Sequence, residues 1–393
     1  MRKMRKTTAR EVLGEKDAIL ALDPSHSFED NMKFAENLRK AAENAKAFRL
    51  PKRVNNGDNV IDYSEKVDKI IFAGMGGSAI AGDLVRDWLD TEVNIPMESV
   101  RGYHLPAYAD KKTLVFLISY SGNTEETLSC MLDALNKSCK IVSISSNGAL
   151  QRVNKALGFP VIGLPKMAAA RVSFPYLFAP IPYVLAQLNL LSLEKVKHDI
   201  AVATRTVASV SREYTIEVPC EKNLAKKAAL EIFGTIPIIY SYGPYRSVGL
   251  RFKTQVNENC KLPARFDFFP ELNHNEIMGW EASKTILKHY TLILLRSPDE
   301  PEEVKTRIEA LKKKFFQKNA KSTIEITTHG ENLLARMLYL FFTADMVSLY
   351  LSVLHRRNPV ASQTFQMLKY QVTEKLGTLD KLEQQILKLA SSN

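Results

Sequence analysis

The chain has 393 residues, of which 45% are hydrophobic and 25% are charged, and this composition is typical of a folded globular protein rather than a disordered or fibrous one. Its 54 Lys and Arg residues outnumber its 43 Asp and Glu residues, so the formal net charge is +11. The basic residues are spread along the whole length, and no nucleic-acid-binding motif occurs among them. The charge therefore favours anionic small molecules or a plain solvated surface over a nucleic-acid partner.

Cysteine content and apolar runs indicate a reduced, aqueous compartment. The four cysteines, Cys130, Cys139, Cys220 and Cys260, include no Cys-x-x-Cys pair and are too sparse for a disulfide framework. The basic start of the chain is followed by a short apolar run at residues 18–22, which is too short for a secretory signal. We expect a cytoplasmic protein that does not associate with a membrane.

The elements predicted in chain order begin with a helix. Ser27 and Asp30 form a plausible N-cap pair, and apolar residues recur at helical spacing through residue 45. Residues 50–62 contain Asn55-Asn56-Gly57-Asp58 and are predicted to form a loop. Short β-rich runs then alternate with helical stretches, and the predicted strands are residues 67–73, 93–95, 113–118, 140–145 and 160–164. This alternation favours a mainly parallel sheet flanked by helices.

A second alternation of the same kind follows a helical stretch at residues 175–210. Its predicted strands are residues 236–243, 290–295 and 322–326, and the apolar run 333–354 is predicted to be a buried helix. We expect an α/β protein of two similar subdomains that share one cleft. The predicted boundaries are an N-terminal helical segment at 1–50, a first subdomain with its linking helix at 51–210, a second subdomain at 211–370 and a C-terminal helical extension at 371–393.

The C-terminal extension carries a narrow apolar stripe at helical spacing, formed by Leu379, Leu382, Ile386 and Leu389. Such a stripe packs either on its own subunit or against a second copy, and the pattern does not distinguish the two.

Two glycine and hydroxyl loops each follow a predicted strand. At the ends of parallel strands, we expect the two loops to lie side by side at one edge of the sheet and to converge on one anion. The first is Gly74-Met75-Gly76-Gly77-Ser78, which could be a dinucleotide loop because glycines let a phosphate approach the backbone. However, Ala79 occupies the third glycine position, and no acidic residue closes a second strand at the expected distance. The dinucleotide interpretation is therefore weak.

The second loop, Ser119-Tyr120-Ser121-Gly122-Asn123-Thr124, precedes a predicted helix, and its Ser119, Ser121 and Thr124 supply three aliphatic hydroxyl groups. It contains no Lys or Arg, and the Gly-Lys-Ser/Thr sequence of a nucleoside triphosphate site is absent from the chain. Neutral donors suit a phosphate that is held but not cleaved. A serine-rich turn that caps a helix is the structural alternative, and it would account for one hydroxyl rather than three.

Together these loops resemble the sugar isomerase (SIS) domain. Two later stretches, Gln255-Val256-Asn257-Glu258-Asn259 and Glu271-Leu272-Asn273-His274-Asn275-Glu276-Ile277, resemble the bifunctional phosphoglucose/phosphomannose isomerases of archaea and some bacteria. The resemblance covers roughly residues 30–370 and keeps the order of the motifs. It implies an aldose–ketose isomerase that interconverts glucose 6-phosphate and fructose 6-phosphate, and also mannose 6-phosphate and fructose 6-phosphate.

The resemblance also implies a role for individual residues. Glu258 matches the family's proposed base and His274 its ring-opening residue. Arg171 matches the arginine near the developing negative charge, and Lys369 matches the C-terminal lysine near the ring oxygen. The substrate phosphate would be held by Gly77, Ser78, Ser119, Ser121 and Thr124.

Further implications concern epimer tolerance and assembly. In the family, activity on both C2 epimers is associated with a small hydroxyl residue shortly before the C-terminal lysine, and Ser362 and Thr364 both remain candidates. Family subunits associate as dimers, with the residue that matches His274 donated across the interface. We expect the same homodimer here.

No cofactor and no metal are expected, because the histidines lie far apart and no His-x-His, His-Glu-x-x-His or Cys pair supplies a ligand set. An unrelated type of phosphomannose isomerase depends on zinc, so retention of activity in a chelator would separate the two mechanisms.

Two other classes of protein share the loops. A non-catalytic SIS-domain regulator that binds a sugar phosphate would keep both loops, but it has no need for Glu258, His274, Arg171 and Lys369 together. A glutamine-dependent amino-sugar synthase would need a cysteine near residue 2, where Arg2 stands. We therefore expect the isomerase.

Overall fold

The structure is a computed structural model, and it describes residues 6–56, 59–167 and 170–391. In chain order, the strands are β1 Arg53–Asn56, β2 Asn59–Asp62, β3 Lys69–Gly74, β4 Met97–Val100, β5 Thr113–Ile118, β6 Lys140–Ser145, β7 Val161–Gly163, β8 Ile236–Tyr242, β9 Arg265–Phe269, β10 Tyr290–Arg296 and β11 Ser322–Thr327. The α-helices are α1 Lys6–Gly14, α2 Lys16–Ala21, α3 Ser27–Met32, α4 Phe34–Ala47, α5 Gly76–Leu89, α6 Glu125–Asn136, α7 Gly148–Leu157, α8 Phe174–Phe178, α9 Pro180–Gln187, α10 Leu193–Glu213, α11 Leu224–Ile232, α12 Arg246–Cys260, α13 Lys284–Leu287, α14 Glu302–Leu311, α15 Gln317–Asn319, α16 Leu333–Leu354, α17 Gln363–Lys369 and α18 Thr378–Ser391.

The chain divides into two compact units. Residues 37–200 and 362–393 form one of them, which we call the first-sheet unit. Residues 1–36 and 201–361 form the other, the second-sheet unit. Each unit is therefore built from one half of the chain together with a terminal segment from the far end.

The first-sheet unit contains a five-stranded parallel sheet in the order β4-β3-β5-β6-β7, and a separate antiparallel hairpin, β1-β2. The strands predicted at 113–118 and 140–145 are confirmed as β5 and β6, and every residue in both is buried. Helix α18 packs on α6 and α7, with Ile386 fully buried. The apolar stripe of the C-terminal extension therefore packs on its own unit.

The second-sheet unit contains a four-stranded parallel sheet in the order β11-β10-β8-β9. The buried helix predicted at 333–354 is confirmed as α16, which packs against α11, α12 and the N-terminal helices α1 and α3. It is long and apolar enough to cross a membrane, yet its apolar window is completely buried within the protein. This helix thus forms the core of its unit.

Both sheets follow the same winding. In each parallel sheet, counting its strands in chain order, the first strand lies between the second and the third, and the fourth strand lies beyond the third. The point where the winding reverses falls between β3 and β5 in one unit and between β8 and β10 in the other. Open parallel sheets bind ligands at the carboxyl ends of the strands at this switch point.

Some local predictions were wrong. Residues 93–95 are not a strand; the strand is β4, and its pairing begins where Ile70 N donates to Pro96 O at 2.9 Å. Residues 50–62 are not one loop, because Val54 and Ile61 pair as buried residues of the β1-β2 hairpin. Gly57 and Asp58 of that stretch lie outside the described residues.

The N-cap pair predicted from Ser27 and Asp30 was also wrong. Ser27 lies inside α3 and makes no cap, whereas the Asp23 carboxylate accepts a hydrogen bond from Phe28 N at 2.9 Å. A carboxylate at a helix start satisfies an amide that the helix leaves unpaired and favours the positive end of its dipole.

All four cysteines are buried thiols. Burial raises the pKa of Cys130 and of Cys139 to about 12, so neither is a thiolate at neutral pH.

Candidate active site

The two glycine and hydroxyl loops lie side by side in the first-sheet unit. They follow β3 and β5, which pair in parallel with Gly74 opposite Ile118. Tyr120 N donates a hydrogen bond to Ser78 Oγ at 3.2 Å, so the two loops are in direct contact. The sequence prediction that these loops meet at one edge of a sheet is therefore confirmed.

The second loop is held to the segment that follows β6. Tyr120 O accepts hydrogen bonds from Ser146 N at 3.0 Å and from Ser146 Oγ at 2.6 Å. Gly122 has φ of +67°, and a Cβ at this position would lie 1.7 Å from Asn147 O. Only glycine fits there, because both the backbone conformation and the space exclude a side chain.

The aliphatic hydroxyl groups of this loop, on Ser119, Ser121 and Thr124, differ in exposure. Ser119 is 1% exposed; its Oγ lies 2.8 Å from Thr124 Oγ1 and accepts a hydrogen bond from Gly122 N at 3.1 Å. Ser121 is exposed, and its Oγ accepts from Asn123 N at 3.3 Å. Ser119 thus fixes the shape of the loop from beneath, whereas Ser121 faces solvent.

Two helices begin at this edge of the sheet. Gly77 and Ser78 lie in the first turn of α5, and Thr124 is the N-cap residue of α6. Gly76 has φ of +51°, and the space where its Cβ would lie is open to 4 Å. Unpaired amides and the positive dipole end at helix N-termini attract anions. The space between the two loops, which we call the crevice, therefore has the chemistry to hold a phosphate.

Arg171 lies in the same unit, in the 3-10 helix Ala170–Ser173 that packs beside α5. Met167, four residues before Arg171, is bound by Tyr120, whose hydroxyl donates to Met167 O at 2.9 Å and accepts from Met167 N at 2.6 Å. Tyr120 therefore binds the second loop to Met167, which lies between β7 and the 3-10 helix that contains Arg171.

Lys369 is the last residue of α17, also in the first-sheet unit, and its side chain is exposed. A π-helical turn, Tyr370–Glu374, follows it. Thr373 in that turn donates its hydroxyl to Glu125 Oε1 at 2.5 Å, and Glu125 is the first residue of α6, directly after Thr124.

Glu258 lies on α12 in the second-sheet unit, and its side chain is exposed. Two polar residues near it in sequence, Gln255 and Asn259, bind α12 to α16. Gln255 Nε2 donates to Asp345 Oδ1 at 2.9 Å, and Asn259 Nδ2 donates to Ser348 Oγ at 2.8 Å, both on α16. The buried face of α12 is thus fixed to α16 by hydrogen bonds, and Glu258 projects away from that face.

His274 is exposed and ends the 3-10 helix Glu271–His274 that follows β9. The next residues are held in place: Asn275 Nδ2 donates to Glu271 Oε1 at 2.9 Å, and Glu276 pairs with Arg265 at 2.7 Å. Tyr240 donates its hydroxyl to Glu276 Oε1 at 3.1 Å, and burial raises the pKa of Tyr240, so this hydroxyl stays protonated.

Comparison with known proteins agrees with these features. Residues 64–165 match the SIS domain, and residues 221–372 match the bacterial phospho-glucose isomerase C-terminal SIS domain. A bifunctional phosphoglucose/phosphomannose isomerase of Caldicellulosiruptor bescii is 37% identical over 330 residues, which cover 84% of this chain and 95% of that protein. The chain belongs to the family of bifunctional phosphoglucose/phosphomannose isomerases.

A second member of this isomerase family, from Aquifex aeolicus, is 34% identical over 76% of this chain and 89% of its own length. Among solved structures, a candidate phosphosugar isomerase from Clostridium difficile 630 superimposes with a TM-score of 0.65 at 17% identity, covering 87% of this chain and 97% of that one. That likeness confirms the expected fold, two SIS-type α/β subdomains with parallel sheets flanked by helices.

The predicted site residues of this isomerase fall in both units. The first-sheet unit carries the five loop residues, Arg171 and Lys369, and the second-sheet unit carries Glu258 and His274. Sequence reasoning did not single out Tyr120, Thr373 or Asp345. Tyr120 is inside a recognised motif and could have been found there; the other two are distant in sequence from the residues they contact.

Among residues 201–361, which the structure describes, the segments after β8 and β10 form a different set of contacts at the switch point of the second sheet. Tyr245 follows β8 and donates its hydroxyl to Ser297 Oγ, after β10, at 3.0 Å. Arg336 forms an ion pair with Asp299 beside them. An aromatic ring and a paired carboxylate thus take part in the contacts at this switch point.

A cavity of about 390 Å³ lies in the second-sheet unit. It is lined by Ile238, Arg265 and Tyr290, which are near the amino ends of β8, β9 and β10. It therefore lies at the sheet edge opposite to the strand ends that carry the switch-point loops. Its charged lining residues, Arg265 and Glu276, are already paired with each other.

Across residues 6–56, 59–167 and 170–391, no group of three or more His, Cys, Asp or Glu side chains is placed to hold a metal ion.

Proposed function

We propose that this protein interconverts glucose 6-phosphate and fructose 6-phosphate, and also mannose 6-phosphate and fructose 6-phosphate, by ring opening and proton transfer through an enediolate. The observation that carries the proposal is its likeness, over 95% of the relative's length, to a protein named as a bifunctional phosphoglucose/phosphomannose isomerase. The crevice between the two loops, with its glycines, hydroxyls and helix N-termini, supports a phosphorylated substrate.

In this proposal the substrate phosphate lies at the carboxyl edge of the first sheet. Gly77 and Ser78 would bind it from the first turn of α5, and Ser121 and Thr124 from the second loop. Ser119 would act beneath them, because its buried hydroxyl holds Thr124 Oγ1 at 2.8 Å. The loops hold the phosphate and take no part in moving protons.

The proton chemistry falls to four other residues. His274 would open the pyranose ring, with Lys369 close to the ring oxygen. Glu258 would then take the C2 proton of the open-chain aldose and return it to C1, while a second proton passes from the O2 hydroxyl to O1. Arg171 would stabilise the negative charge that develops on the enediolate oxygens, as a cation near a developing oxyanion does.

The exposed position of Glu258 on a firmly seated helix supports its role as the base. A general base must hold a fixed position to within a fraction of an ångström. The hydrogen bonds of Gln255 and Asn259 to α16 provide that rigidity.

We assign epimer tolerance to Ser362 rather than Thr364. A helix turns by about 100° per residue, so a residue seven before Lys369 lies about 20° from it around the axis, and a residue five before lies about 140° away. Ser362 is directly before α17, and its carbonyl accepts from Gln366 N at 3.0 Å, so it is the start of that helical path. A small side chain there would leave the open-chain C1–C2 unit room to rotate.

We further propose a homodimer in which each copy donates His274 to the site of its partner. Support comes from the apolar surface near this residue: Met278, four residues beyond His274, is 61% exposed, and Ile286 is 53% exposed. A contact with another chain would remove these apolar side chains from water. A second copy is the partner proposed here, with the dimer in the cytoplasm.

The alternative is a non-catalytic regulator that binds a sugar phosphate. It would need the loops alone, so the presence of Glu258, His274, Arg171 and Lys369 favours the isomerase.

Turnover assays distinguish the two functions. Purified protein is given glucose 6-phosphate or mannose 6-phosphate, and formation of fructose 6-phosphate is followed with and without a metal chelator. The isomerase is expected to convert both sugars at rates that the chelator does not change. Binding of fructose 6-phosphate without conversion of either sugar would favour the regulator, and loss of activity in the chelator would overturn the metal-free mechanism.

A further inference from the structure

The segment that carries Lys369 contacts the first-sheet unit through the chain that follows it. Before the segment, the Asn358 and Pro359 carbonyls accept hydrogen bonds from Lys261 Nζ at 3.0 and 3.1 Å, within the second-sheet unit. Every side chain from residue 363 to residue 372 is exposed. Beyond it, α18 is firmly held: Arg152 makes two hydrogen bonds to the Glu383 carboxylate, at 2.6 and 2.5 Å, and Ile386 is fully buried. Within the first-sheet unit, the position of Lys369 therefore depends on what fixes the chain between it and α18.

Thr373 is the first residue after that exposed stretch with a partly buried side chain, and it makes the contact. Its hydroxyl donates to Glu125 Oε1 at 2.5 Å. Glu125 is 6% exposed, and removing a donor from a buried carboxylate is costly, so loss of this hydrogen bond would be unfavourable. Gly377, four residues further on, has φ of +62° and forms the bend before α18.

Glu125 in turn adjoins the loop that is proposed to bind the phosphate. It directly follows Thr124, the N-cap of α6, and its backbone is the first helical residue after the second loop. A phosphate that settles on this loop and on the N-terminus of α6 would fix the backbone of Glu125. The hydrogen bond would then fix Thr373, which lies four residues from Lys369 in continuous helical structure.

We propose that the Thr373–Glu125 hydrogen bond is a positioning contact, which transmits occupation of the phosphate loops to the segment bearing Lys369. Thr373 does not touch the reacting atoms in this scheme; it sets where Lys369 stands when the phosphate is bound. The inference rests on the proposed function for the role of Lys369, but the mechanical link itself does not require turnover.

Hydrogen–deuterium exchange tests the link. Exchange of the amides of residues 363–372 is measured in the full-length protein with and without saturating inorganic phosphate, for the wild type, Thr373→Val and Thr373→Ser. Phosphate is expected to slow exchange in the wild type and in Thr373→Ser, which keeps the hydroxyl, and to have no such effect in Thr373→Val. Arg152→Gln, which releases a different tether of the same C-terminal region, should retain the slowing.

Kinetics supply the second readout. Thr373→Val is expected to lower kcat for fructose 6-phosphate by about tenfold or more, because a small misplacement of a catalytic group is enough for such a loss, while KM changes by less than about threefold. Thr373→Ser should restore kcat.

The outcomes separate the two proposals. The link would be overturned if phosphate slowed exchange in Thr373→Val as much as in the wild type. It would also be overturned if phosphate did not slow exchange in the wild type. Absence of turnover in the wild type would instead overturn the proposed function, and the exchange measurement would still decide the link.

Discussion

Arg251 and Asp345 form a bidentate ion pair in the core of the unit that carries Glu258. Arg251 Nε and Nη2 donate to the two oxygens of Asp345, each at 2.9 Å, and both side chains are 2% exposed. The same carboxylate accepts from Gln255 Nε2, so two residues of α12 bind to one point on α16. This arrangement fixes the rotation of α12, and with it the direction of Glu258.

Replacement of Asp345 by Asn is expected to destabilise the protein strongly. It leaves the Arg251 guanidinium buried without a full counter-charge, and breaking a buried pair in this way typically lowers the free energy of unfolding by about 3–5 kcal/mol. Urea unfolding followed by circular dichroism measures the change. As a control, Glu43→Gln breaks the exposed Arg39–Glu43 pair and should cost less than about 1 kcal/mol. Equal losses in the two variants would contradict the structural role of the buried pair.

Alanine substitution at Gly122 and at Gly76 should affect phosphate binding differently. At Gly122 a methyl group meets Asn147 O in a backbone region that side chains disfavour, so Gly122→Ala must displace the loop and should abolish phosphate binding. At Gly76 the space is open, so Gly76→Ala carries only the conformational strain, about 1–2 kcal/mol. Calorimetric titration with fructose 6-phosphate compares them, and tight binding by Gly122→Ala would show that the second loop does not hold the phosphate.

A mixed dimer tests donation of His274 across the interface. Glu258→Gln and His274→Gln subunits with different affinity tags are co-expressed, and the heterodimer is purified through both tags. If His274 acts in trans, each heterodimer contains one intact site and should show about half of the wild-type activity, although both parent homodimers are inactive. An inactive heterodimer, or failure of any dimer to form, would contradict the proposed assembly.

Substitution at Ser362 should separate the two sugar activities. Ser362→Gln places a longer side chain on the Lys369 face of α17, and restricted rotation of the open-chain substrate is expected to reduce turnover of mannose 6-phosphate at least about tenfold more than turnover of glucose 6-phosphate. Thr364→Gln, on another face of the helix, serves as the matched control. A changed ratio for Thr364→Gln with an unchanged ratio for Ser362→Gln would reverse the assignment.

The sequence predicted those parts of the fold that depend on continuous apolar runs. Strand β5 and helix α16 begin and end where predicted, because nearly every residue in them is buried and the pattern is unbroken. Strands β4 and β9 were missed or misplaced, since exposed charged residues such as Glu98 and Arg265 leave no continuous apolar run in them. The meeting of the two loops followed from parallel strand order alone.

The roles of polar residues were harder to predict. Ser119 and Ser121 look alike in sequence, yet one is buried beneath the loop and the other faces solvent. Gln255 and Asn259 flank Glu258 in a motif that suggested chemistry, but their amides seat α12 on α16. Contacts between distant residues, such as Thr373 with Glu125, leave no periodic signal in the chain.

Glu258 as the proton-transferring base is tested most directly by exchange at C1 of fructose 6-phosphate in D₂O, followed by proton NMR. The wild type should replace one C1 hydrogen with deuterium during turnover. Glu258→Gln should still bind fructose 6-phosphate through the paired loops but lose exchange by about 10²–10⁴-fold, the contribution expected of a general base. Glu303→Gln, at an exposed position on α14, should exchange like the wild type. Exchange by Glu258→Gln at the wild-type rate would contradict the assignment.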